Sequence, residues 1–399
     1  MSEVLLLPPG YLLGLGLAVA SATFLILALW RLATSHFDTL PIQPHGAATD
    51  FRPPVTVLKP LCGREPRLYE CLRSFCEQDY PDMQIVFGVG DSEDDAIPVV
   101  ERLIAEFPGR DLALVVDGGM HGSNLKVGNL VNMARLAKHD IVVVSDSDTL
   151  VAHDCLAQVV MPFADDATGA VTCLYKAAPA AGLASKLGAL FINDWFLSSA
   201  VVDARMRDVA YCFGPLSAVR RTALDAIGGF AALSSQLADD FMMGRLIAAA
   251  GYKVQLSHVV PSTTVSENFR SLFWHELRWA RTVKAVKPGE HFLSVVMEPL
   301  PLLAALLLPY PRLGGWAILG AVIMLRVALH YLLRARFRFD YPACPWLLPL
   351  RECLCFAVWA ASFLGSNIRW RHRRFAIGSG GELIPLPMPV PSAATGIGL

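Results

Sequence analysis

The chain has 399 residues, of which 54% are hydrophobic and 17% are charged, and its mean hydropathy is +0.45. Soluble globular domains carry roughly 25% charged residues, and the shortfall here lies in long uncharged stretches at both ends, which indicates a membrane protein with a soluble middle. The formal net charge of -1 means that the chain has no overall excess of positive charge, so we do not expect nucleic acid as a partner.

The first predicted element is a membrane anchor, to which we assign residues 1–32. Tyr11 to Trp30 contains no charged residue, and about 20 apolar residues cross a hydrocarbon core of roughly 30 Å. The run is longer than the roughly 7–15 residues of a signal-peptide core, and no basic residue precedes it. Arg31 follows it, which by the positive-inside rule places the middle of the chain in the cytoplasm.

Residues 33–290 form the predicted soluble domain, in which runs rich in Val and Ile alternate with helical patterns. In chain order the predicted elements are strand Val55–Leu58, helix Leu68–Gln78, strand Gln84–Val89, helix Ile97–Phe107, strand Leu112–Val116, helix Lys126–Ala137 and strand Asp140–Val144. This alternation predicts an α/β fold with a parallel sheet that is covered on both faces. Ligands of such sheets bind beyond the carboxyl ends of the strands.

The C-terminal region, residues 291–366, is apolar again and is predicted to lie in the membrane. Gly314–Leu333 is the best candidate span and Leu347–Gly365 is another, whereas Phe292–Leu308 contains prolines and is either a span or a re-entrant or interfacial helix. The Arg residues that follow fit the positive-inside rule if Phe292–Leu308 and Gly314–Leu333 cross as a hairpin and Leu347–Gly365 re-enters or lies in the interface. Residues 367–399 are a basic and then Pro-rich tail, which we expect to be loose from Gly378 onward.

The strongest chemical signal is Asp146-Ser147-Asp148, which follows the last predicted strand directly. Two carboxylates one residue apart at a strand end can turn toward one hard cation, and Mg²⁺ or Mn²⁺ held in this way keeps positions open for substrate phosphates. A nucleotide sugar requires such a cation because its diphosphate develops charge as it leaves. We therefore predict a divalent cation bound by Asp146 and Asp148, in preference to a solvated acidic turn.

Other charged residues follow strands or begin helices. Asp91 and Asp94 come after the second strand and would accept hydrogen bonds from the base or ribose of the donor, or would simply favour a helix N-terminus. Asp240 begins a predicted helix, where a carboxylate suits a general base that takes the proton of an acceptor hydroxyl, although capping of the helix would explain it too. Lys126 follows a small polar loop and would either reach a phosphate or form an ordinary first turn.

A last motif, His275-Glu276-Leu277-Arg278-Trp279, lies just before the C-terminal apolar region. An Arg beside a Trp can pair with a pyrophosphate while the indole ring forms a wall of the acceptor site. An amphipathic helix on the membrane surface would have the same spacing. We expect His275, Arg278 and Trp279 to lie near the acceptor and the diphosphate.

Taken in order, these stretches resemble glycosyltransferase family 21, which comprises ceramide glucosyltransferases and bacterial relatives that act on hopanoid lipids. The resemblance rests on Leu58-Lys59-Pro60-Leu61-x-Gly63, Asp79-Tyr80-Pro81, Asp91 to Asp94, Asn124-x-Lys126, Asp146-Ser147, Asp239-Asp240-Phe241, Arg278-Trp279, Glu298-Pro299 and Trp370-Arg371-x-x-Arg374-Phe375. It implies a GT-A type, Rossmann-like nucleotide-sugar domain. It also implies inverting transfer of one glucose or N-acetylglucosamine from a UDP-sugar to the hydroxyl of a membrane lipid such as ceramide or a hopanoid.

The resemblance also assigns roles to the charged residues. Asp91 or Asp94 would hold the nucleoside, and Asp240 would be the base. The metal and diphosphate would be held by Asp146 and Asp148. Arg278 and Trp279 would complete a (Q/R)xxRW-type element, whose first position is His275 in this chain. The chain would then be an integral protein of a bacterial inner membrane with its catalytic domain in the cytoplasm.

Three other functions share some of these features. A processive polysaccharide synthase has the same anchor and carboxylates but would use more spans than the two or three predicted after the soluble domain. A polyprenyl-phosphate glycosyltransferase acts on an anionic phosphate and would need no general base. A non-catalytic membrane scaffold would be expected to lack one of Asp146, Asp148 and Asp240, and all three are present.

Overall fold

A seven-stranded sheet lies at the centre of the soluble domain in a computed structural model that describes residues 7–34, 51–206, 209–310, 314–370 and 373–387. The strands of these described residues are β1 (Val55–Pro60), β2 (Met83–Val89), β3 (Asp111–Val116), β4 (Ile141–Ser145), β5 (Thr149–Leu150), β6 (Thr168–Cys173), β7 (Lys176–Pro179), β8 (Leu216–Arg220), β9 (Lys253–Ser257), β10 (Ser262–Val265), β11 (Asn367–Trp370), β12 (Arg373–Ile377) and β13 (Leu383–Pro385). The central sheet has the order β3-β2-β1-β4-β8-β6-β9.

Helices cover this sheet and form a second layer beside it. They are α1 (Pro9–Thr34), α2 (Leu68–Cys76), α3 (Ile97–Glu106), α4 (Leu125–Ala134), α5 (Cys155–Val160), α6 (Leu183–Leu190), α7 (Leu197–Met206), α8 (Arg221–Ala226), α9 (Asp239–Ala249), α10 (Phe269–Val286), α11 (Pro288–Leu293), α12 (Leu300–Leu307), α13 (Gly315–Phe337) and α14 (Leu348–Ser362). The seven elements predicted between Val55 and Val144 are all present, and their ends differ from the predicted ones by at most three residues.

Both faces of the central sheet are buried, as the continuous apolar strands predict. On β1, Val57 packs with the cluster that contains α2, α3 and α5, whereas Leu58 packs with the cluster that contains α4, α8 and α9. Successive residues of a strand point to opposite faces, so one strand contributes to both cores. The α/β fold class is therefore confirmed.

The predicted strands, β1 to β4, are parallel to one another as expected, but the sheet continues with β8, which was not predicted and makes the sheet mixed. Strands β1, β2 and β4 are parallel neighbours, but β8 runs antiparallel to both β4 and β6. Because Ser145 pairs with Leu216, β8 begins at the edge where β4 ends. The residues before β8 therefore join the loops that follow the parallel strands. Apolar periodicity reports burial of a strand but not its direction.

Two long apolar helices, α1 and α13, lie against each other at one side of the soluble domain, and each is long and apolar enough to cross a membrane. The close approach of α1 to α12 depends on Gly14, since a Cβ there would lie 2.6 Å from Leu307 Cδ2. The segment predicted at Phe292–Leu308 is a helix pair, Pro288–Met297 and Leu300–Leu307, bent by 64°. The chain is thus membrane-associated by the length and composition of its helices.

A further apolar helical segment, Leu183–Ala204, was not predicted from the sequence. It is long enough for a span, but 72% of its most apolar window is buried inside the protein. It comprises α6, a π-helical stretch at Phe191–Phe196 and α7. Its Asp194 forms a fully buried contact with His330 of α13, at 2.8 Å between Oδ1 and Nδ1. This contact joins the soluble domain to the long apolar helices.

The C-terminal tail is not loose as far as Pro385, which corrects that expectation. Strands β11, β12 and β13 form an antiparallel sheet, and two backbone hydrogen bonds attach it to the soluble domain, from Leu237 N to Gly381 O at 2.9 Å and from Leu383 N to Ser235 O at 2.8 Å. Arg371 of the predicted tail motif and the last residues, 388–399, lie outside the described residues.

The buried pair of Asp194 and His330 yields a stability prediction. Asp194→Ala leaves the imidazole buried without its partner, so we expect the free energy of unfolding to fall by about 2–4 kcal/mol. The Asp194→Leu/His330→Leu double variant removes both polar groups and should be distinctly more stable than the single variant. Thermal unfolding of the purified protein in detergent measures both. Equal destabilisation of the single and double variants would contradict a partnered role for this contact.

Candidate active site

A cavity of about 1120 Å³ opens at the edge of the sheet where β1, β2 and β4 end. The nine residues proposed from the sequence all line it, and they are Asp91, Asp94, Lys126, Asp146, Asp148, Asp240, His275, Arg278 and Trp279. The remaining lining reaches the π-helical stretch, α10, the bent helix pair and α14. One cavity therefore adjoins both the strand ends and the apolar helices.

Asp146 and Asp148 lie at the end of β4 and the beginning of β5. Asp146 Oδ1 is 2.6 Å from Lys126 Nζ, and the Thr263 hydroxyl of β10 donates a hydrogen bond to Asp148 Oδ2. Burial, and then the neighbouring Asp146 carboxylate, raise the pKa of Asp148 to about 6. The two carboxylates thus share a region where their negative charges are poorly compensated.

The residues fit a divalent cation that binds together with a diphosphate. Among the described residues no group of three or more His, Cys, Asp or Glu side chains is placed to hold a metal by itself. Asp146 and Asp148 supply the two carboxylates with which Mg²⁺ is commonly bound when substrate phosphates and water complete its shell. A cation would also relieve the repulsion that raises the pKa of Asp148.

Asp240 points into the same region from the first turn of α9. The N-cap of this helix is Ala238, so capping of α9 by Asp239 or Asp240 is not its explanation. A Cβ placed on Gly214 would lie 3.2 Å from Asp240 Oδ2 and 3.6 Å from Asp146 Oδ2, so the two carboxylates converge beside that glycine. Burial and the adjacent Asp239 raise the pKa of Asp240 to about 7.

Lys126 is the cation nearest to these carboxylates. The Asn124 side chain caps α4 by accepting from Val127 N at 3.1 Å, which places Lys126 in the first turn. Its Nζ lies 3.8 Å from Asp239 Oδ2 in addition to its contact with Asp146. Burial would lower the pKa of Lys126, but the two carboxylates outweigh burial and raise it. Lys126 is therefore a fixed positive charge at this end of the cavity.

Asp91 and Asp94 occupy different environments. Asp94 accepts hydrogen bonds from Gly63 N at 2.9 and 3.0 Å and from Ala96 N at 2.9 Å, which ties the loop after β1 to the start of α3. Asp91 is exposed at the mouth of the cavity, and its Oδ1 accepts from Glu93 N at 3.0 Å. The carboxylate of Asp94 is thus occupied by backbone amides, whereas Asp91 faces the cavity at its rim.

The His275, Arg278 and Trp279 side chains extend from α10 into the cavity. Trp279 stacks on Phe191 with ring centroids 6.0 Å apart, and its centroid lies 4.2 Å from that of His275. His275 Nδ1 is 3.0 Å from Glu267 Oε1. Burial lowers the pKa of Arg278 to about 10, so its guanidinium stays charged at neutral pH. Trp274 of the same helix is 52% exposed, so α10 has an exposed apolar side as well as a cavity side.

Lys59 donates hydrogen bonds to the end of β4, a role that was not predicted from the sequence. Its Nζ donates to Asp146 O at 2.5 Å and to Ser145 Oγ at 3.2 Å, and it lies 4.1 Å from the centre of the Phe75 ring. Burial lowers the pKa of Lys59 to about 8. The signal available in the sequence was a lysine that directly follows the buried strand segment Val55–Leu58, because a buried amine needs a partner.

Comparison with known proteins matches the chain to the family model Glycosyl transferase family 21 over residues 15–383. Ceramide glucosyltransferase 3 of Caenorhabditis elegans is 25% identical over 359 residues, which cover 84% of this chain and 74% of that protein. Ceramide glucosyltransferase 1 of the same organism is 26% identical over 360 residues, which cover 83% and 73%.

Among solved structures, the mannosyltransferase PcManGT from Pyrobaculum calidifontis, in complex with GDP-Man and Mn²⁺, has a TM-score of 0.55 and 23% sequence identity. The match covers 89% of this chain and 99% of that chain. At this identity the likeness concerns the fold, and it confirms the predicted GT-A architecture. Since the family match extends over most of the sequence, the chain belongs to glycosyltransferase family 21 and is a glycosyltransferase.

Proposed function

We propose that this protein transfers a single sugar, glucose or N-acetylglucosamine, from a UDP-sugar to a hydroxyl group of a membrane lipid such as ceramide or a hopanoid. The observation that carries the proposal is the continuity of one cavity, which is lined by Asp146, Asp148 and Asp240 at the strand ends and by side chains of the bent helix pair. A water-soluble donor and an acceptor from the bilayer can meet there. With the positive-inside rule, the catalytic domain faces the cytoplasm of a bacterial cell.

The donor would bind across the carboxyl edge of the sheet. Asp91 at the rim accepts hydrogen bonds from the nucleoside, and Lys126 and Arg278 bring positive charge to the diphosphate. Asp146 and Asp148 would hold the divalent cation, which would act as a Lewis acid for the leaving diphosphate. The complex of PcManGT with GDP-Man and Mn²⁺ supports a donor and cation bound together in this fold.

Asp240 acts as the general base in this scheme. It accepts the proton of the lipid hydroxyl while the hydroxyl oxygen forms a bond to the anomeric carbon and the bond from that carbon to the diphosphate breaks. The electron pair of the broken bond leaves with the diphosphate. Attack from the face opposite to the leaving group inverts the anomeric configuration. The high pKa that burial and Asp239 impose on Asp240 makes it a stronger base than an exposed aspartate.

The role of Asp240 can be tested with an isosteric variant. Asp240→Asn should lower kcat for a hydroxyl lipid by about 10²–10⁴-fold, the usual contribution of a general base, while binding of the UDP-sugar persists. Radiolabelled sugar transfer and equilibrium binding measure the two quantities. Asp225→Asn, at an exposed position of α8, is the control and should behave like the wild type. Loss of donor binding, or unimpaired transfer to the hydroxyl lipid, would refute the assignment.

The cation requirement is tested by chelation. EDTA should abolish transfer, and Mn²⁺ or Mg²⁺ should restore it, because the cation stabilises the leaving diphosphate. Asp148→Asn removes one carboxylate ligand and should raise the Mn²⁺ concentration needed for half-maximal activity. Turnover that persists in EDTA would remove the metal role of Asp146 and Asp148.

The two donor-side acids should behave differently. Asp91→Asn is expected to raise the KM for the UDP-sugar about tenfold through loss of a charged acceptor, with thermal stability unchanged. Asp94→Asn weakens the bonds to Gly63 and Ala96 and should lower the Tm. The reverse pattern, with KM altered only by Asp94→Asn, would assign the nucleoside contact to Asp94 instead.

A further inference from the structure

The cavity contains a buried acid to which the proposed reaction gives no role. Glu298 lies in the break between the two parts of the bent helix pair, lines the cavity and is 8% exposed. Its Oε2 atom is buried and has no hydrogen-bond partner within the described part of the chain. A buried carboxylate oxygen without a donor is costly, so this atom points to a group that is supplied from outside the chain.

The charged groups around Glu298 are Glu352, Arg326, Arg351 and Glu276. Arg351 forms a bidentate ion pair with Glu276, donating hydrogen bonds of 2.7 and 2.5 Å to its two carboxylate oxygens. Arg326 donates to Met297 O and lies 3.7 Å from Glu352 Oε1. Neither Arg326 nor Glu352 lines the cavity, whereas Glu298 does. In this cluster Glu298 is therefore an acid that a ligand can reach while Glu352 is not.

The lining near Glu298 is suited to a lipid. The π-helical stretch, α10 and α14 contribute mainly apolar and aromatic side chains to it, namely Phe191, Trp195, Leu272, Trp279, Val358 and Trp359. Trp195 donates its Nε1–H to Met297 O at 3.0 Å, which holds this wall against the residue before Glu298. Polar residues such as Glu276, His291, Ser294 and Arg351 also line the cavity, so a molecule bound there would meet apolar rings together with the Glu298 oxygen for which the described residues provide no partner.

We propose that Glu298 binds the acceptor lipid by accepting a hydrogen bond from a second donor group of its head group, a hydroxyl or an amide N–H beside the hydroxyl that receives the sugar. This inference rests on the proposed function and narrows its substrate class to lipids with at least two polar donors. A lipid with one hydroxyl would leave the buried oxygen of Glu298 without a donor, and a site built for a hydrogen bond rejects such an analogue strongly.

The test uses the purified full-length chain in detergent with a UDP-sugar and three acceptors. Ceramide and a hopanoid polyol carry further donors beside the reacting hydroxyl, whereas diacylglycerol carries a single hydroxyl. The wild type should prefer at least one of the first two over diacylglycerol. Glu298→Gln should raise the KM for that lipid at least about tenfold and leave the KM values for diacylglycerol and the UDP-sugar unchanged. The preference between lipids would then be lost.

Glu352→Gln is the matched control, because it removes a charge from the same buried cluster without touching the cavity. It should keep the preference of the wild type. Glu298→Asp retains the carboxylate and should retain part of the preference, so it replaces Glu298→Gln as the informative variant if the latter does not bind the UDP-sugar.

Several outcomes would overturn the inference. These are an unchanged preference in Glu298→Gln, an equal loss in Glu352→Gln, full loss of the preference in Glu298→Asp, or a wild type that prefers diacylglycerol. The proposed function would survive each of them. A wild type that binds the UDP-sugar but transfers sugar to none of the three lipids would refute the proposed function, and the inference with it.

Discussion

The repulsion among carboxylates at the end of β4 is the constraint around which the site is arranged. Asp146, Asp148 and Asp240 approach one another although burial makes their charges costly. Lys126 partly neutralises Asp146 from one side, and Lys59 donates to the backbone oxygen of Asp146 from below. A bound cation would offset the negative charge that remains, so the repulsion among these carboxylates would favour its binding.

Elements outside the central sheet also shape the cavity. Helix α10 bears Arg278 and Trp279 on its cavity side, and its Glu276 is held by Arg351 of α14 in a buried bidentate pair. The π-helical stretch supplies Phe191 to stack on the tryptophan. Movement of α14 or of this stretch relative to the sheet would therefore displace the residues that α10 contributes to the cavity lining.

The sequence by itself determined the elements and the sheet edge. Short runs of Val and Ile bounded by polar residues predict buried strands whatever they pack against, because the pattern is local. Asp146 and Asp148 directly follow one such run. Since β1, β2 and β4 are parallel neighbours, the acids after β2 and β4 had to share an edge. The long apolar helices α1 and α13 could be predicted in the same way, because their length and lack of charge are local properties.

The tertiary structure decided what depends on partners distant in the chain. Antiparallel β8 brings Gly214 beside Asp146 and Asp240, and no local pattern reports the direction of a strand. The hydrogen bonds of Asp94 to Gly63 distinguish it from Asp91 only after the loops have met. Leu183–Ala204 is apolar like a span yet is buried in the protein. In each case the structure depends on which segments of the chain pack against each other. The pattern of hydrophobic residues predicts that a segment is buried but does not identify the segment that it packs against.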